Sequence, residues 1–215
     1  MKIRFVTRGR LTELEECGDG QEELLLFGFE GLGEVSYEKE LKGESVYFEE
    51  TARLSKRRKC VLISGCITNT RGHRRKSAVV AEQGRLVGVS DMLHVVDGQI
   101  GAGVGLRVYD TKLGKIGVAV GEDIHFPEVV KSLSLCGSDI IVCPYGVIQN
   151  TMEQTLLRAY AYCFGVPILL CGGGYCMIAD SDGKVVFASP MRSAEVDFEN
   201  KKEYHLIETR RRGCF

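Results

Sequence analysis

The sequence predicts an α/β protein in which helices cover mixed sheets as a layered sandwich. Three observations carry that prediction. Short apolar, β-branched runs recur along the chain, several of them paired by tight turns into hairpins. Amphipathic stretches suited to helices lie between them at 45–59, 128–136 and 151–164. Finally, Lys115 to Glu128 reads as a buried strand, an abrupt turn and a helix start. Ile116 to Val120 is apolar, Gly121 sits at the tip, and Phe126-Pro127-Glu128 opens a helix with proline in its first turn and an acid near its positive end. Strand-to-helix elbows commonly display a nucleophile. This one has no side chain at its tip.

Taken in order, residues 2–7 form a first strand, and the polar segment Arg8 to Gln21 has room for a short helix around Leu11 to Cys17. Glu23 to Phe29 forms a second strand that ends in a glycine-rich turn. The helix at 45–59 ends in Lys56-Arg57-Arg58-Lys59, a charge run favoured by the negative helix end. Cys60 to Cys66 is a third strand, Asn69 to Arg75 a turn, and Ser77–Ala81 and Leu86–Val89 a hairpin about Gln83-Gly84. A glycine-rich loop (98–105) leads to Arg107–Tyr109, the turn Leu113-Gly114 and the elbow. Gly137 terminates the next helix, Asp139–Cys143 is a buried strand, Thr151–Phe164 a helix, and Val166–Cys171 a strand. Cys176–Ala179 and Val185–Ala188 flank the turn Ser181-Asp182-Gly183. Tyr204–Glu208 is a last strand before the basic tail Arg210-Arg211-Arg212.

Composition narrows the function classes. The 215 residues suit one globular domain spanning 1–215, with no repeat or linker to mark a second. Lys and Arg number 28 against 29 Asp and Glu, so no basic surplus points to nucleic acid. No run of eighteen apolar residues predicts a membrane span, and the first residues lack the apolar core of a signal peptide, so a cytoplasmic location is expected. The nine cysteines show no Cys-x-x-Cys spacing, and most lie in apolar runs. They read as buried free thiols; no metal site or cofactor is expected.

The elbow and the residues after it, through Asp139-Ile140-Ile141-Val142-Cys143-Pro144, resemble the nucleophile region of the nitrilase (carbon–nitrogen hydrolase) superfamily. That region runs G-V-x-I-C-Y-D-x-R-F-P-E, then a helix, then G-A-D and an apolar strand closed by proline. Gly117, Asp123, Phe126, Pro127, Glu128, Gly137, Asp139 and Pro144 match in register. Ser77 to Gly88, Arg158-Ala159-Tyr160-Ala161, Val166-Pro167 and Gly174 to Gly183 are similar to further family segments. The resemblance implies a four-layer α-β-β-α sandwich, here with an abbreviated N-terminal helix. It also implies an amide-like small-molecule ligand and a homodimer.

Family members hydrolyse amides or nitriles with a Glu–Lys–Cys triad: a thiolate attacks, a carboxylate moves the proton, and a cation stabilises the oxyanion. In the resemblance Glu30 stands at the base position, with Phe29 replacing the preceding proline; alternatively Glu30 is an exposed turn residue. Asp91 stands at the lysine position of Y-x-K-x-H-L, and Gly121 at the cysteine position. Glu122, Asp123 and His94 are candidate binding residues, with Asp123 expected to accept backbone hydrogen bonds. These positions leave two main readings. One is a binding or assembly subunit that has lost thiol chemistry. The other is a divergent amidase using Glu30, Asp91 and Glu122, with His94 or His125, which requires those side chains to converge on one cleft. A vestigial-pocket sensor is a third.

Overall fold

A computed structural model describes residues 1–15, 20–95, 98, 100–148, 151–200, 203–205 and 209–211. The first half supplies β1 (Lys2–Val6), α1 (Leu11–Glu15), β2 (Leu24–Phe27), β3 (Glu34–Ser36), α2 (Tyr37–Lys42), α3 (Tyr47–Arg58), β4 (Val61–Thr70), β5 (His73–Glu82) and β6 (Arg85–Asp91). The second half supplies β7 (Val108–Thr111), β8 (Gly114–Val118), a 3-10 turn (Gly121–His125), α4 (Pro127–Leu135), β9 (Ile140–Val147) and α5 (Met152–Phe164). It continues with β10 (Ile168–Gly173), β11 (Tyr175–Ala179), β12 (Val185–Ser189), β13 (Ser193–Asp197) and a small hairpin of β14 (Glu203–His205) and β15 (Thr209–Arg211).

The strands build two mixed sheets. One runs β13-β1-β2-β4-β5-β6, with β3 paired to the far end of β4; the other runs β12-β11-β10-β9-β8-β7. Alternation along each strand sorts side chains between two cores. On β5, Ala78 and Val80 face the other sheet, among Phe5, Leu26, Ile63, Val118 and Val142. Val79 faces outward, where Leu11, Leu14 and Leu54 of α1 and α3 cover the sheet. On the opposite side Val130 and Leu133 of α4 and Leu157 of α5 pack against Ile141, Ile168 and Met177. The result is the expected α-β-β-α order of layers, and the first helix is only five residues long.

The structure departs from the sequence reading in extent. β4 and β5 run ten residues each, because their hairpin needs only Arg71 and Gly72, both at positive φ, to turn. The short β3 and α2, the 3-10 turn and β13 were not anticipated: each is brief or polar, and β13 has an exposed, charged outer face. β8 stops at Val118, although the Ala119 N–H still donates to the Val142 carbonyl (3.0 Å). Cys17, Glu208, Arg212 and Cys214 lie outside the described residues. No helix among the described residues is long and apolar enough to cross a membrane.

The described cysteines are free thiols: Cys60, Cys66, Cys143, Cys171 and Cys176 are buried, and Cys136 and Cys163 exposed. Among the described residues no cluster of three His, Cys, Asp or Glu side chains is placed to hold a metal ion.

Candidate functional site

β8 delivers the chain to the edge of the inter-sheet core, and the 3-10 turn reverses it there. Gly121 opens that turn with φ +55°, a left-handed conformation that glycine adopts without strain. A Cβ placed on Gly121 would have three neighbours at 3.5 Å: Phe29 Cε2, Met92 Sδ and Lys76 Cδ. These distances are ordinary van der Waals contacts. The seat is therefore walled by an aromatic ring, a thioether and the alkyl stem of a lysine.

Each wall has a structural cause. Phe29 follows β2 and lies so close to β4 that a side chain on Gly65 would come within 3.1 Å of its Cα. Met92 follows β6, its N–H held by the Lys76 carbonyl (2.8 Å). Lys76 lies on the inward face of β5, and its ammonium is paired with Glu122 from the turn, so the pair ties the two sheets together. Both side chains are about three-quarters buried (24% and 23% exposed). The second carboxylate oxygen of Glu122 is buried without a hydrogen-bond partner among the described residues.

The convergence expected of Glu30, Asp91 and Glu122 is absent. Glu30 is exposed, and its Oε2 accepts the N–H of Gly9 in the loop after β1 (3.3 Å). Asp91 is register-paired with Ser77 and accepts its hydroxyl (2.6 Å), within a chain that continues to Thr68 (2.7 Å). Ser77 and Lys76 are consecutive strand residues, so they point to opposite faces, and Asp91 shares the outer face with Ser77. Its charge, after burial, helps raise the Tyr37 hydroxyl on α2 to about 12. Asp91 and Glu122 therefore occupy separate faces of the first sheet. The side chains at Gly121 come instead from Phe29, one residue before Glu30, and Met92, one residue after Asp91.

Asp123 is buried (1% exposed) and accepts the N–H groups of Leu93 (2.9 Å) and His94 (3.0 Å) as well as His94 Nδ1 (2.9 Å). It accepts backbone hydrogen bonds, as expected, but they come from the segment after β6 rather than from its own turn. His94 is stacked on Phe126, with ring centroids 3.7 Å apart, and its Nε2 lies 3.5 Å from Glu128. His125 belongs to a separate chain of hydrogen bonds: its Nε2 donates to the Tyr145 hydroxyl (3.1 Å), which donates to buried Glu153 (3.1 Å). Burial and then the Glu153 charge raise the Tyr145 hydroxyl far above its ordinary value.

No cysteine among the described residues replaces the missing nucleophile. Cys143 Sγ approaches the Gly121 carbonyl at 3.7 Å, but burial, reinforced by Asp123, Glu122 and Glu153, holds that thiol protonated. Beside the elbow, Phe29 and Tyr145 form part of the wall of an open cavity of about 630 Å³, a volume suited to a small-molecule ligand. Lys76, Phe29 and Met92 were missed in the sequence. The one available signal was His94, which fixes a different register for Met92-Leu93-His94 when it is matched to the histidine of K-x-H-L.

Residues 23–200 match the carbon–nitrogen hydrolase family. Among solved structures, an amidase from Nesterenkonia sp. AN1, carrying acrylamide added at its active-site cysteine, superposes with a TM-score of 0.75 at 17% identity, covering 93% of each chain. A nitrilase-superfamily protein from Saccharomyces cerevisiae gives a TM-score of 0.73 at 17% identity, covering 92% of this chain and 90% of its own. Over shorter stretches the sequence is similar to a citrullinase from Francisella tularensis (32% identity over 79 residues, 33% of this chain) and to an N-carbamoylputrescine amidase from Arabidopsis thaliana (29% over 92 residues, 39% of this chain). Those matches span 27% and 31% of the two relatives' own lengths.

Proposed function

Because the chain belongs to the carbon–nitrogen hydrolase family, we propose that its elbow shapes a pocket for an amide- or carbamoyl-bearing small molecule without forming a thioester to it. The observation that carries this reading is the wall around Gly121: Phe29, Met92 and the stem of Lys76, with no thiol, hydroxyl or free base among them. On this reading Phe29, Met92 and Gly121 stand where the family carries its glutamate, lysine and cysteine. A thioester needs a sulfur nucleophile at the elbow and a base to receive its proton, and neither is supplied by these three residues. The homodimer suggested by the resemblance goes with this reading, and sedimentation of the purified chain checks it.

The test is calorimetric titration of the purified protein with small amides, nitriles and carbamoyl compounds, alongside ammonia assays and intact-mass measurement. Saturable binding with no mass adduct and no ammonia release supports the reading. A substrate-derived adduct on a cysteine other than the exposed Cys136 and Cys163 overturns it.

A second reading is favoured by the names of the two sequence relatives, whose substrates by name are both ureido compounds. In it the protein hydrolyses a carbamoyl group directly with water, with Glu122 as base and Lys76 as the cation beside the developing oxyanion. Ammonia release that survives stringent purification and disappears in Glu122→Gln would establish this reading over the first.

A further inference from the structure

We propose that the cavity beside the elbow takes a ligand bearing an anionic group, carboxylate or phosphate, held by Arg8 with help from Arg10. This inference rests on the pocket reading above and specifies the ligand it admits.

The charge balance of the cavity differs in sign from that of the chain. The whole sequence carries a formal charge of −1, yet Arg8, Arg10 and Arg192 line the cavity against only Glu13 and Glu30. The two acids are engaged. Glu13 is ion-paired with Arg192, and Glu30 accepts the Gly9 N–H. Arg192 is engaged further, its Nε donating to the Arg8 carbonyl (3.2 Å). The guanidinium groups of Arg8 and Arg10 have no acidic or carbonyl partner among the described residues.

Arg8 is also held in place. The Thr7 N–H donates to the Arg192 carbonyl (3.0 Å), which fixes the strand end from which Arg8 projects. Its guanidinium lies over Gly174, where a Cβ would come within 2.8 Å of the terminal nitrogen. Gly174 has φ +87°, so the backbone favours glycine there, and the missing Cβ leaves room for the guanidinium. A planar guanidinium with free donors, lining a concave site, is suited to bidentate recognition of a carboxylate or phosphate. Arg10 is the weaker partner, because it also borders a neighbouring cavity of about 320 Å³ that contains Glu44 and Glu50.

The remaining walls fit the body of such a ligand. Phe29 and Val147 offer apolar surface, and Gly146 and Gly173 line the cavity without side chains. Phe29 links this cavity to the seat at Gly121. A molecule with an anionic group at Arg8 thus directs its other end toward the elbow.

The experiment compares three probes by calorimetry at low salt: N-carbamoylglycine, which carries a carbamoyl group and a carboxylate; methylurea, which carries no charge; and inorganic phosphate. The expected result is that N-carbamoylglycine binds at least tenfold more tightly than methylurea. That advantage should fall to less than threefold in Arg8→Ala, fall partly in Arg10→Ala, and shrink in wild type as salt rises. Unchanged melting of each variant shows that the loss is local, since both arginines are exposed. Equal binding of N-carbamoylglycine and methylurea, indifferent to Arg8→Ala, overturns the inference and leaves the pocket reading standing. Arg8-dependent binding of phosphate, with no binding of either urea compound, upholds the anion site as a phosphate site and overturns the amide ligand. No binding of any probe removes both.

Discussion

Phe29 Cε2 lies 3.5 Å from the point where a side chain on Gly121 would begin, so the aromatic ring faces the seat of the elbow directly. The contact is close enough to shape the seat and loose enough to admit one more group. Gly121→Cys is therefore expected to fold. The change fixes a β-carbon at φ +55°, which costs about 1–2 kcal/mol, or a fall in Tm of about 2–8 °C for a chain of this size. The new thiol should give no ammonia from amides, because Phe29 and Met92 supply neither base nor oxyanion partner. Combining Gly121→Cys with Phe29→Glu and Met92→Lys is expected to yield a covalent adduct at residue 121 with an acrylamide-type electrophile faster than the single variant does, as followed by peptide mass mapping.

Lys76 and Glu122 connect β5 to the 3-10 turn across the inter-sheet space. Removing the cation strands a largely buried carboxylate, which already has one unpartnered oxygen. Loss of one member of a buried pair costs about 3–5 kcal/mol, and the quarter exposure of both groups reduces this to about 2 kcal/mol. Lys76→Met should thus lower the urea midpoint clearly. Lys76→Met with Glu122→Gln should recover most of the loss, since no charge then remains to be buried. A double variant as unstable as the single one would mean that the lysine stem, not the ion pair, carries the effect.

The large features of this fold were legible because they rest on periodicity and on glycine and proline placement. Ile116 to Val118, Gly121 and Pro127 identify the strand, the elbow and the helix without a structure. The site was harder, because sequence registers slip by one where no anchor is near. Glu30 and Asp91 are each one residue from the side chains that meet Gly121, and on a strand one residue is the difference between two faces of a sheet. Apolar Phe29 and Met92 also carry no chemical signal that would draw attention to them. Lys76 is invisible for another reason: it reaches Glu122 across 46 positions of sequence, a pairing that only the packing of the two sheets creates.

Burial sets the alkaline limit of the fold. Cys60 and Cys176 are pushed up to about 12 from the ordinary 9.0, and Cys66, Cys143 and Cys171 are raised too, in each case chiefly by burial. Their unfolded-state thiols ionise near 9, whereas the folded ones stay protonated. The unfolded state therefore binds fewer protons above pH 9, and stability falls as pH rises. Well below pH 9 these groups contribute no slope; as pH rises through 9 each begins to lower stability, approaching about 1.4 kcal/mol per pH unit while its folded thiol stays protonated. Urea midpoints at pH 7, 8 and 10 should be level between pH 7 and 8 and clearly lower at pH 10. In the native state a thiol reagent at pH 8 should label Cys136 and Cys163 quickly and leave the five buried thiols unmodified.

Asp123 is the residue on which the segment after β6 depends. Its carboxylate is buried and collects the N–H groups of Leu93 and His94 and the His94 ring, which places Met92 just before them at the seat of the elbow. Asp123→Ala leaves two backbone donors and the imidazole without their acceptor. Each buried donor so abandoned costs about 1–3 kcal/mol, though water reaching the partly exposed ring recovers some of this. A total loss of about 3 kcal/mol is expected, enough to lower Tm by about 6–12 °C. Asp123→Asn keeps the shape but turns an amide toward three donors, so it should recover less than half of that loss. The local readout is amide hydrogen exchange: the Leu93 and His94 N–H groups should exchange much faster in either variant, while those of β4 and β5 keep their protection. If Leu93 and His94 stay protected in Asp123→Ala, the segment is held by Phe126 stacking and not by the carboxylate, and Met92 does not owe its place at Gly121 to Asp123.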